Sequence, residues 1–449
     1  MTQPQKAAYK ISVITGIAIV IANMVGTGVF TSLGFQILGL KSGFALLMLW
    51  AVGGLIALCG ALSYGELAAA MPRSGGEYHY LSRIYHPAVG FLSGWVSATV
   101  GFAAPTALAA MALGKYAQNV WPSVQPQVLS VMVVLLLTAV HASSRQAGSR
   151  LQVLITAIKV LVLVGFIGAG LLAATPQPLS FSPSALGWQE VLSPAFAVSL
   201  IYVSYAYSGW NAAVYMTGEV ADPQRNLPRI LLIGTAVVLL LYIGLNFVFL
   251  YSTPLNTLAG QVEVGFVAAN SLFGPVIGRL MGGVIAVLLV STVSSMIFAG
   301  PRIVQVMGED LTGLRTLAHV SRAGIPVRAM LLQTLLTLVF ILTATFEQVL
   351  LYAGFVLSLF TFLTVLGLFI LRWKHPALPR PYRAWGYPIT PLLFLGLSGW
   401  TLLFLLRDKP MESLYGLATV LLGLLVYKGV SRPAKKPNAD VPMHSIYKE

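Results

Sequence analysis

Cysteine is almost missing: the 449 residues hold one, Cys59. A single thiol permits no internal disulfide and no cysteine-built metal cluster, so disulfide-stapled secreted scaffolds and zinc-ribbon folds are excluded. Charge is also scarce, 9% of residues against about 25% in soluble domains. Acidic residues are the rarest charges, 13 against 27 Lys and Arg. None lies near the middle of an apolar segment. Glu66 and Glu219 sit at segment ends, with Glu66 expected to be a solvated helix end or, alternatively, paired with loop arginines in a gate. Glu77, Asp222, Glu309 and Asp310 read as residues of inner loops, and Glu190, Glu263 and Glu347 as residues of outer ones. His79, His86, His141, His319, His375 and His444 fall in or beside inner loops without metal-ligand spacing and read as surface residues. No nucleophile–base constellation or phosphate-binding loop is visible, so neither an enzyme nor a cofactor or metal site is expected.

What the chain has instead is apolar length. Hydrophobic residues make up 57% and the mean hydropathy is +0.83. A membrane span needs roughly 20 apolar residues. Twelve such segments can be read, at about 11–38, 43–70, 87–117, 128–142, 150–174, 191–217, 229–251, 272–301, 328–345, 348–371, 389–406 and 411–428. They leave no room for a second domain. The polar start MTQPQKAAYK runs into segment 1 without a small-residue cleavage site, so that segment is expected to be retained as a helix. With the N-terminus inside, roughly four in five of the 27 basic residues fall in inner regions, as the positive-inside rule requires. The formal charge of +14 therefore records topology, with both termini cytoplasmic. A nucleic-acid surface would gather those charges on one folded face.

Two segments are interrupted by glycine: segment 1 at VGTGVF (25–30) and segment 6 at YSGWN (207–211). The interval from Gly26 to Ser208 also carries Pro87, the start of segment 3, to within a few residues of 272, the start of segment 8. One five-helix unit used twice accounts for this. Five is odd, so the two copies are inverted in the membrane. The expected organisation is a single transporter domain over 1–449, with repeats at 11–174 and 191–371 and two extra helices at 389–428. Paired broken segments in corresponding positions are the sequence pointer to a transporter's binding site. Unwound backbone in hydrocarbon costs several kcal/mol per unpaired group unless something fills the gap. A zwitterion fits: the amides of Thr27 and Gly28 begin a half-helix and suit a carboxylate, while the carbonyls around Tyr205 to Ser208 suit an ammonium. The plain alternative is that the glycines only let helices pack closely.

At these residues the sequence resembles the amino acid–polyamine–organocation superfamily, and within it the L-type amino acid transporter group with its bacterial relatives. The resemblance covers nearly the whole chain. It is carried by VGTGVF at 25–30, ELAAAMPRSGGEYHYL at 66–81, YSGWNAAVYMTGEVADPQRNLPR at 207–229 and RWKHPALPRPYRAWGYPITP at 372–391, and more weakly by TAIKV at 156–160. It implies an all-α membrane protein with twelve transmembrane helices, a five-plus-five inverted repeat with discontinuous helices 1 and 6, and two C-terminal helices. It further implies a substrate carboxylate on the Thr27 and Gly28 amides and the Thr27 hydroxyl beside Gly26, and an ammonium on the carbonyls of Met24, Tyr205 and Ser208. Tyr205 would be an aromatic gate and Asn211 would steady the unwound turn. Thr27 stands where many relatives have Ser, and Ser208 where several have Gly or Asp. Relatives that join a single-pass glycoprotein do so through an outer-loop cysteine. Cys59 lies inside segment 2, so no covalent partner is expected.

Lys159 lies near the midplane, about 13 Å into segment 5 at about 1.5 Å per residue. An ionisable group at that depth is expensive and usually functional, though a lysine snorkelling to the surface is the plain alternative. In sodium-coupled relatives a sodium ion near helices 1, 5 and 8 bridges the moving parts, and a lysine ammonium could replace it or couple protons. The expectation is a sodium-independent secondary transporter of neutral L-amino acids in the plasma membrane, working by exchange or proton coupling. A permease for cationic amino acids or other amines is the rival within the class. A channel or membrane sensor is the rival outside it.

Overall fold

Apolar side chains cover the outside of this molecule as well as its inside. Leu161, Leu172, Leu240 and Val287 are 69%, 91%, 72% and 69% exposed. Such a surface suits hydrocarbon, and helices suit it because they satisfy their own backbone groups. The computed structural model describes residues 10–143, 149–173, 175–321 and 324–430. The N-terminal stretch 1–9, the C-terminal stretch 431–449 and with them the expected cytoplasmic placement of both ends lie outside the described residues, as does His444.

Regular structure among the described residues is helical apart from one isolated bridge, Ile11 to Val220. Helices α1 (Val13–Met24) and α2 (Thr27–Gly39) are the halves of one apolar run, followed by α3 (Gly43–Ala70) and the short α4 (Gly76–Ile84). Helices α5 (Pro87–Val96) and α6 (Ala103–Val120) are joined through a π-helical turn, Ser97–Gly101. Next come α7 (Pro126–Ser143), α8 (Ser149–Ala173) and α9 (Ala185–Val191). Helix α10 (Pro194–Tyr207) breaks and resumes as a 3-10 helix, Ala212–Glu219. The rest is α11 (Pro223–Ser252), α12 (Leu255–Leu258), α13 (Val264–Asp310), α14 (Val327–Thr343), α15 (Phe346–Lys374), α16 (Ile389–Asp408) and α17 (Pro410–Val430).

Among the described residues, ten helical stretches are long and apolar enough to cross a membrane. The pair Ala185–Val191 and Pro194–Glu219, bent by 64°, makes an eleventh. α14 has 17 residues and is shorter. The eighth segment, read from 272, is helical from Val264; Gly274, at φ +79, and Pro275 kink it where the apolar pattern restarts. α3 packs on α11, α6 on α13, α2 on α10 and α7 on α14. α1 also packs on α8 and α11, while α10 packs on α15 and α3.

Two readings of polar residues are corrected. Glu66 is fully buried, not solvated. It takes paired bonds from Arg372 at 2.8 and 2.6 Å, lies 3.4 Å from Arg380 and accepts the Ala384 amide at 2.6 Å. A carboxylate survives there because two guanidinium groups and an amide replace its water. Among the histidines, His79 and His141 are buried, at 9% and 7% exposure. His141 bonds Ser294 at 2.7 Å across two helices. Burial, with Arg73 and Arg83 nearby, pushes His79 down to about 4, so it is neutral near pH 7.

Candidate functional site

The two helix breaks lie against one another. At the first, Val25 and Gly26 leave the helix; the Gly26 amide donates to the Met24 carbonyl at 2.8 Å, and α2 begins at Thr27 with no side-chain cap. The first amides of α2 have no acceptor within their own helix and carry the positive end of its dipole. At the second, α10 ends at Tyr207, and the amide of the capping Ser208 donates to the Tyr205 carbonyl at 2.9 Å. Gly209 then turns the chain at φ +98. A Cβ there would meet the Asn23 backbone at 2.9 Å, so both the angle and the space call for glycine. Gly28 is the other close approach, since a Cβ on it would overlap the backbone of Ala206.

Tyr242 of α11 holds the breaks together. Its hydroxyl lies 2.6 Å from the Met24 carbonyl and 3.2 Å from that of Ala206. Trp50 stands edge-on to the Tyr242 ring, 5.5 Å away between centroids. Nothing in an apolar sequence window distinguishes this tyrosine from a packing residue, and sequence reasoning missed it.

A cavity of about 470 Å³ runs up to the breaks. Asn23, Ser204, Ser208 and Asn211 line it beside the breaks, and the solvent-exposed Arg302 and Glu309 also belong to its lining. The π-helical turn contributes Ser97 and Gly101 to the wall. Of the residues singled out from sequence, Ser208 and Asn211 line this cavity, whereas Met24, Gly26, Thr27, Gly28 and Tyr205 are buried outside its lining. The Met24 carbonyl already accepts from Tyr242 and Gly26. Trp210 both lines the cavity and packs edge-on against Tyr64, 4.6 Å between centroids. On the far side of the breaks, Phe35 stacks between Tyr202 at 5.7 Å and Phe346 at 6.0 Å, and Tyr202 donates to Glu347 at 2.6 Å.

Asn211 does more than sit in the unwound turn. Its amide nitrogen donates to Glu77 Oε1 at 2.9 Å, and the Tyr64 hydroxyl donates to the same oxygen at 2.7 Å. Glu77 is 4% exposed, where the sequence read a loop residue. The signal was the Gly75–Gly76 pair before it: both adopt positive φ, and after this turn α4 packs on α5 and α15, with Tyr80 edge-on to Tyr64 of α3.

Lys159 is 2% exposed. Its ammonium donates to the Val25 carbonyl at 3.2 Å and to Thr292 Oγ1 at 3.1 Å. It thus joins α8 to the first break and to α13. Among the described residues no group of three or more His, Cys, Asp or Glu side chains could hold a metal ion.

A model of the family described as amino acid permease matches residues 11–415. The chain belongs to the amino acid permease family. Similar curated proteins include the large neutral amino acids transporter small subunit 2 of Mus musculus, 30% identical over 93% of this chain and 80% of that protein. The Asc-type amino acid transporter 1 of Homo sapiens is also 30% identical, over 93% of this chain and 81% of that one. The b(0,+)-type amino acid transporter 1 of Mus musculus is 27% identical, over 93% and 87%. The family match thus spans both helix breaks, and the family consists of transport proteins and not enzymes.

Proposed function

We propose that this permease carries neutral L-amino acids across the plasma membrane by alternating access, without sodium. The observation that carries the reading is a cavity that reaches Asn23 beside the first helix break and Ser208 and Gly209 at the second, with the Thr27 and Gly28 amides buried just beyond its lining. Its volume lies within the range of small-molecule sites, about 300–1,000 Å³. The name of one relative, the large neutral amino acids transporter small subunit 2, specifies neutral amino acids. On this reading the substrate carboxylate binds the Thr27 and Gly28 amides and its ammonium the carbonyls of Tyr205 and Ser208. Met24, whose carbonyl is shared with Tyr242, completes that end. Tyr205 and the Phe35–Tyr202–Phe346 stack close the far side, so the conformation is open at the Arg302 end.

The helix packing supports twelve spans in two inverted repeats, with α14 as the ninth span. Four of the five spans of the first repeat pack on their counterparts: the first on the sixth, the second on the seventh, the third on the eighth and the fourth on the ninth. The cross pairs match too, since α1 touches α8 and α11 as α10 touches α15 and α3. The Ile11 amide donates to the Glu219 carbonyl at 2.7 Å and the Ala221 amide to the Ile11 carbonyl at 3.0 Å, which ties the entry to span 1 to the exit from span 6. Such a tie suits two half-spans that move together. The excess of basic residues in the loops at the Arg302 end favours the cytoplasmic side for it. Cys59, the single cysteine, is buried in α3, and the permease therefore works without a disulfide-linked partner.

One observation favours a second reading. Glu77 places a buried carboxyl in the cavity wall, which would suit a cationic amino acid. Both hydrogen bonds to its Oε1 are internal, and the neutral reading is preferred on that ground. Uptake of radiolabelled L-leucine and L-alanine into proteoliposomes decides, with D-isomers, L-lysine and putrescine as competitors. Saturable, stereospecific uptake that lysine leaves untouched is expected. Non-saturable flux would point to a channel, and competition by L-lysine to the second reading.

A further inference from the structure

Glu77 has a role that amino acid binding alone does not require. It lies on α4, outside the membrane spans, yet its carboxyl is buried and lines the wall of the central cavity. A single oxygen, Oε1, accepts from Tyr64 on α3 and from Asn211 just past the break in α10. The bond to Asn211 links the unwound turn to α4, and the bond to Tyr64 links α4 to α3.

The groups that face this carboxyl are Tyr64 from α3, Tyr80 on α4 itself, and Asn211 and Tyr215 from beyond the break. The cations of neighbouring elements are engaged elsewhere. Arg372 pairs with Glu66, Lys374 donates to the Ile84 carbonyl and Arg302 lies 3.9 Å from Glu219. Among the described residues Glu77 forms no ion pair, in contrast to Glu66 with its two arginines. An ionised carboxylate here relies on two neutral donors. Burial pushes it up to about 7, while the bonds from Tyr64 and Asn211 pull it the other way.

We propose that Glu77 is a proton-sensitive positioning residue: its carboxylate, through Asn211, holds the unwound turn of span 6 in place, and taking up one proton loosens that turn and weakens substrate binding. The chemistry is one proton moving from solvent in the cavity to a carboxylate oxygen. A carboxylate accepts a hydrogen bond from a neutral amide about twice as strongly as a neutral oxygen does. Asn211 is therefore held firmly in the ionised state and weakly in the protonated one. The inference rests on the proposed transport function for its effect on binding, but not for its effect on the turn.

Two measurements on the purified full-length protein separate those parts. The first needs no substrate. Ala212 lines the cavity next to Asn211, so Ala212→Cys is labelled with a maleimide with Glu77 intact and with Glu77→Gln, from about pH 5.5 to about pH 8.5. Glutamine cannot ionise and mimics the protonated acid at every pH. Labelling of the Glu77→Gln protein should exceed that of the Glu77 protein several-fold at the alkaline end and converge with it at the acid end. Taking the ratio at each pH cancels the thiol's own titration. The second is equilibrium binding of radiolabelled L-leucine and L-alanine over the same range. Wild-type affinity should drop several-fold on acidification, and Glu77→Gln should show the weak affinity throughout. Should Glu77→Gln fail to fold, Tyr64→Phe carries the test: losing a donor to the carboxylate moves the midpoint to higher pH. A labelling ratio that does not change with pH, or an unmoved midpoint in Tyr64→Phe, overturns the proposal. Absence of any neutral amino acid binding by wild type would defeat the transport reading, and the labelling ratio would still decide the role of Glu77.

Discussion

The hydroxyl of Tyr242 sits 2.6 Å from the carbonyl oxygen of Met24, at the last residue before the first helix breaks. The same hydroxyl reaches the Ala206 carbonyl at 3.2 Å, so one side chain from α11 serves both unwound regions. Helix breaks in hydrocarbon are stable only where freed backbone groups find partners. Tyr242→Phe keeps the ring and its packing on Trp50 and removes the partner. The buried carbonyl then loses a bond at a cost of about 1–3 kcal/mol. The expected result is a protein that folds with a lowered Tm and binds substrate at least tenfold more weakly, because the two breaks lose their common register. Thermal unfolding and binding, measured side by side, check it. Unchanged binding with a lowered Tm would make Tyr242 a packing residue only.

Gly28 tests how closely the halves must approach. Even a methyl group there would overlap the Ala206 backbone, so Gly28→Ala forces α2 and α10 apart. A larger residue is therefore not needed to block the carboxylate position. The expected loss is tenfold or more in uptake, with overpacking costing about 1–3 kcal/mol of stability. Gly165 is the control, since nothing lies within 4 Å of a Cβ built on it. Gly165→Ala should transport normally. Equal activity in the two variants would remove the first break from the site.

The features of this fold that were legible in the sequence are those that break an apolar background. Gly26 and Gly209 interrupt hydrophobic runs, and Lys159 is a charge within one. Those signals located the breaks and the buried ammonium, because glycine and lysine are anomalous in hydrocarbon. Tyr242 gave no signal, as a tyrosine in an apolar helix reads as packing. Glu77 was misread, and for Glu66 a solvated helix end was favoured over the arginine pairing that the structure shows, for a different reason. Loop position was taken to mean water, but the Gly75–Gly76 turn tucks Glu77 inside, and the 372–391 loop brings Arg380 and the Ala384 amide onto Glu66. Contacts between residues some 300 positions apart, such as Glu66 with Arg372, lie beyond any local pattern. The count of spans was hardest at α14, whose 17 helical residues sit at the lower edge of what a bilayer needs.

Glu77 also makes a prediction about stability with a definite sign. Its carboxyl is raised from the usual range to about 7 by burial, so the folded protein holds this proton more tightly than the unfolded chain does. Its contribution is therefore fully present below the unfolded value near 4.5 and is lost as pH rises through about 7. The span of the loss is roughly 3 kcal/mol. Glu77→Gln has no proton to lose and should be the more stable protein above about pH 7, with the difference shrinking toward about pH 5. Tm measured against pH for both proteins checks this. A wild-type Tm that rises relative to Glu77→Gln across that interval would show the sign to be wrong.

Lys159 sets the ionic requirement of transport. Its ammonium lies between the Val25 carbonyl and Thr292 Oγ1, bonded to both at 3.2 and 3.1 Å. These are the oxygens that a sodium ion bridging the first break, α8 and α13 would use. A sodium ion about 4 Å from the ammonium would be repelled by about 4 kcal/mol at an effective dielectric near 20. That is enough to weaken its binding by roughly three orders of magnitude. The bonds themselves do what a bound ion would, holding the break to α13. Uptake by wild type should therefore be equal in sodium and in choline buffer. Lys159→Ala removes the tie and leaves the Val25 carbonyl buried without its ammonium, so uptake should fall at least tenfold while the protein remains folded. Lys159→Arg should rescue little, because the planar guanidinium cannot place one donor on each oxygen in the space of an ammonium. Strong sodium stimulation of the wild type would sink the argument at its first step. A pH gradient that drives accumulation only when Lys159 is present would identify the same residue as the coupling site, and uptake that needs amino acid inside the vesicle would identify exchange.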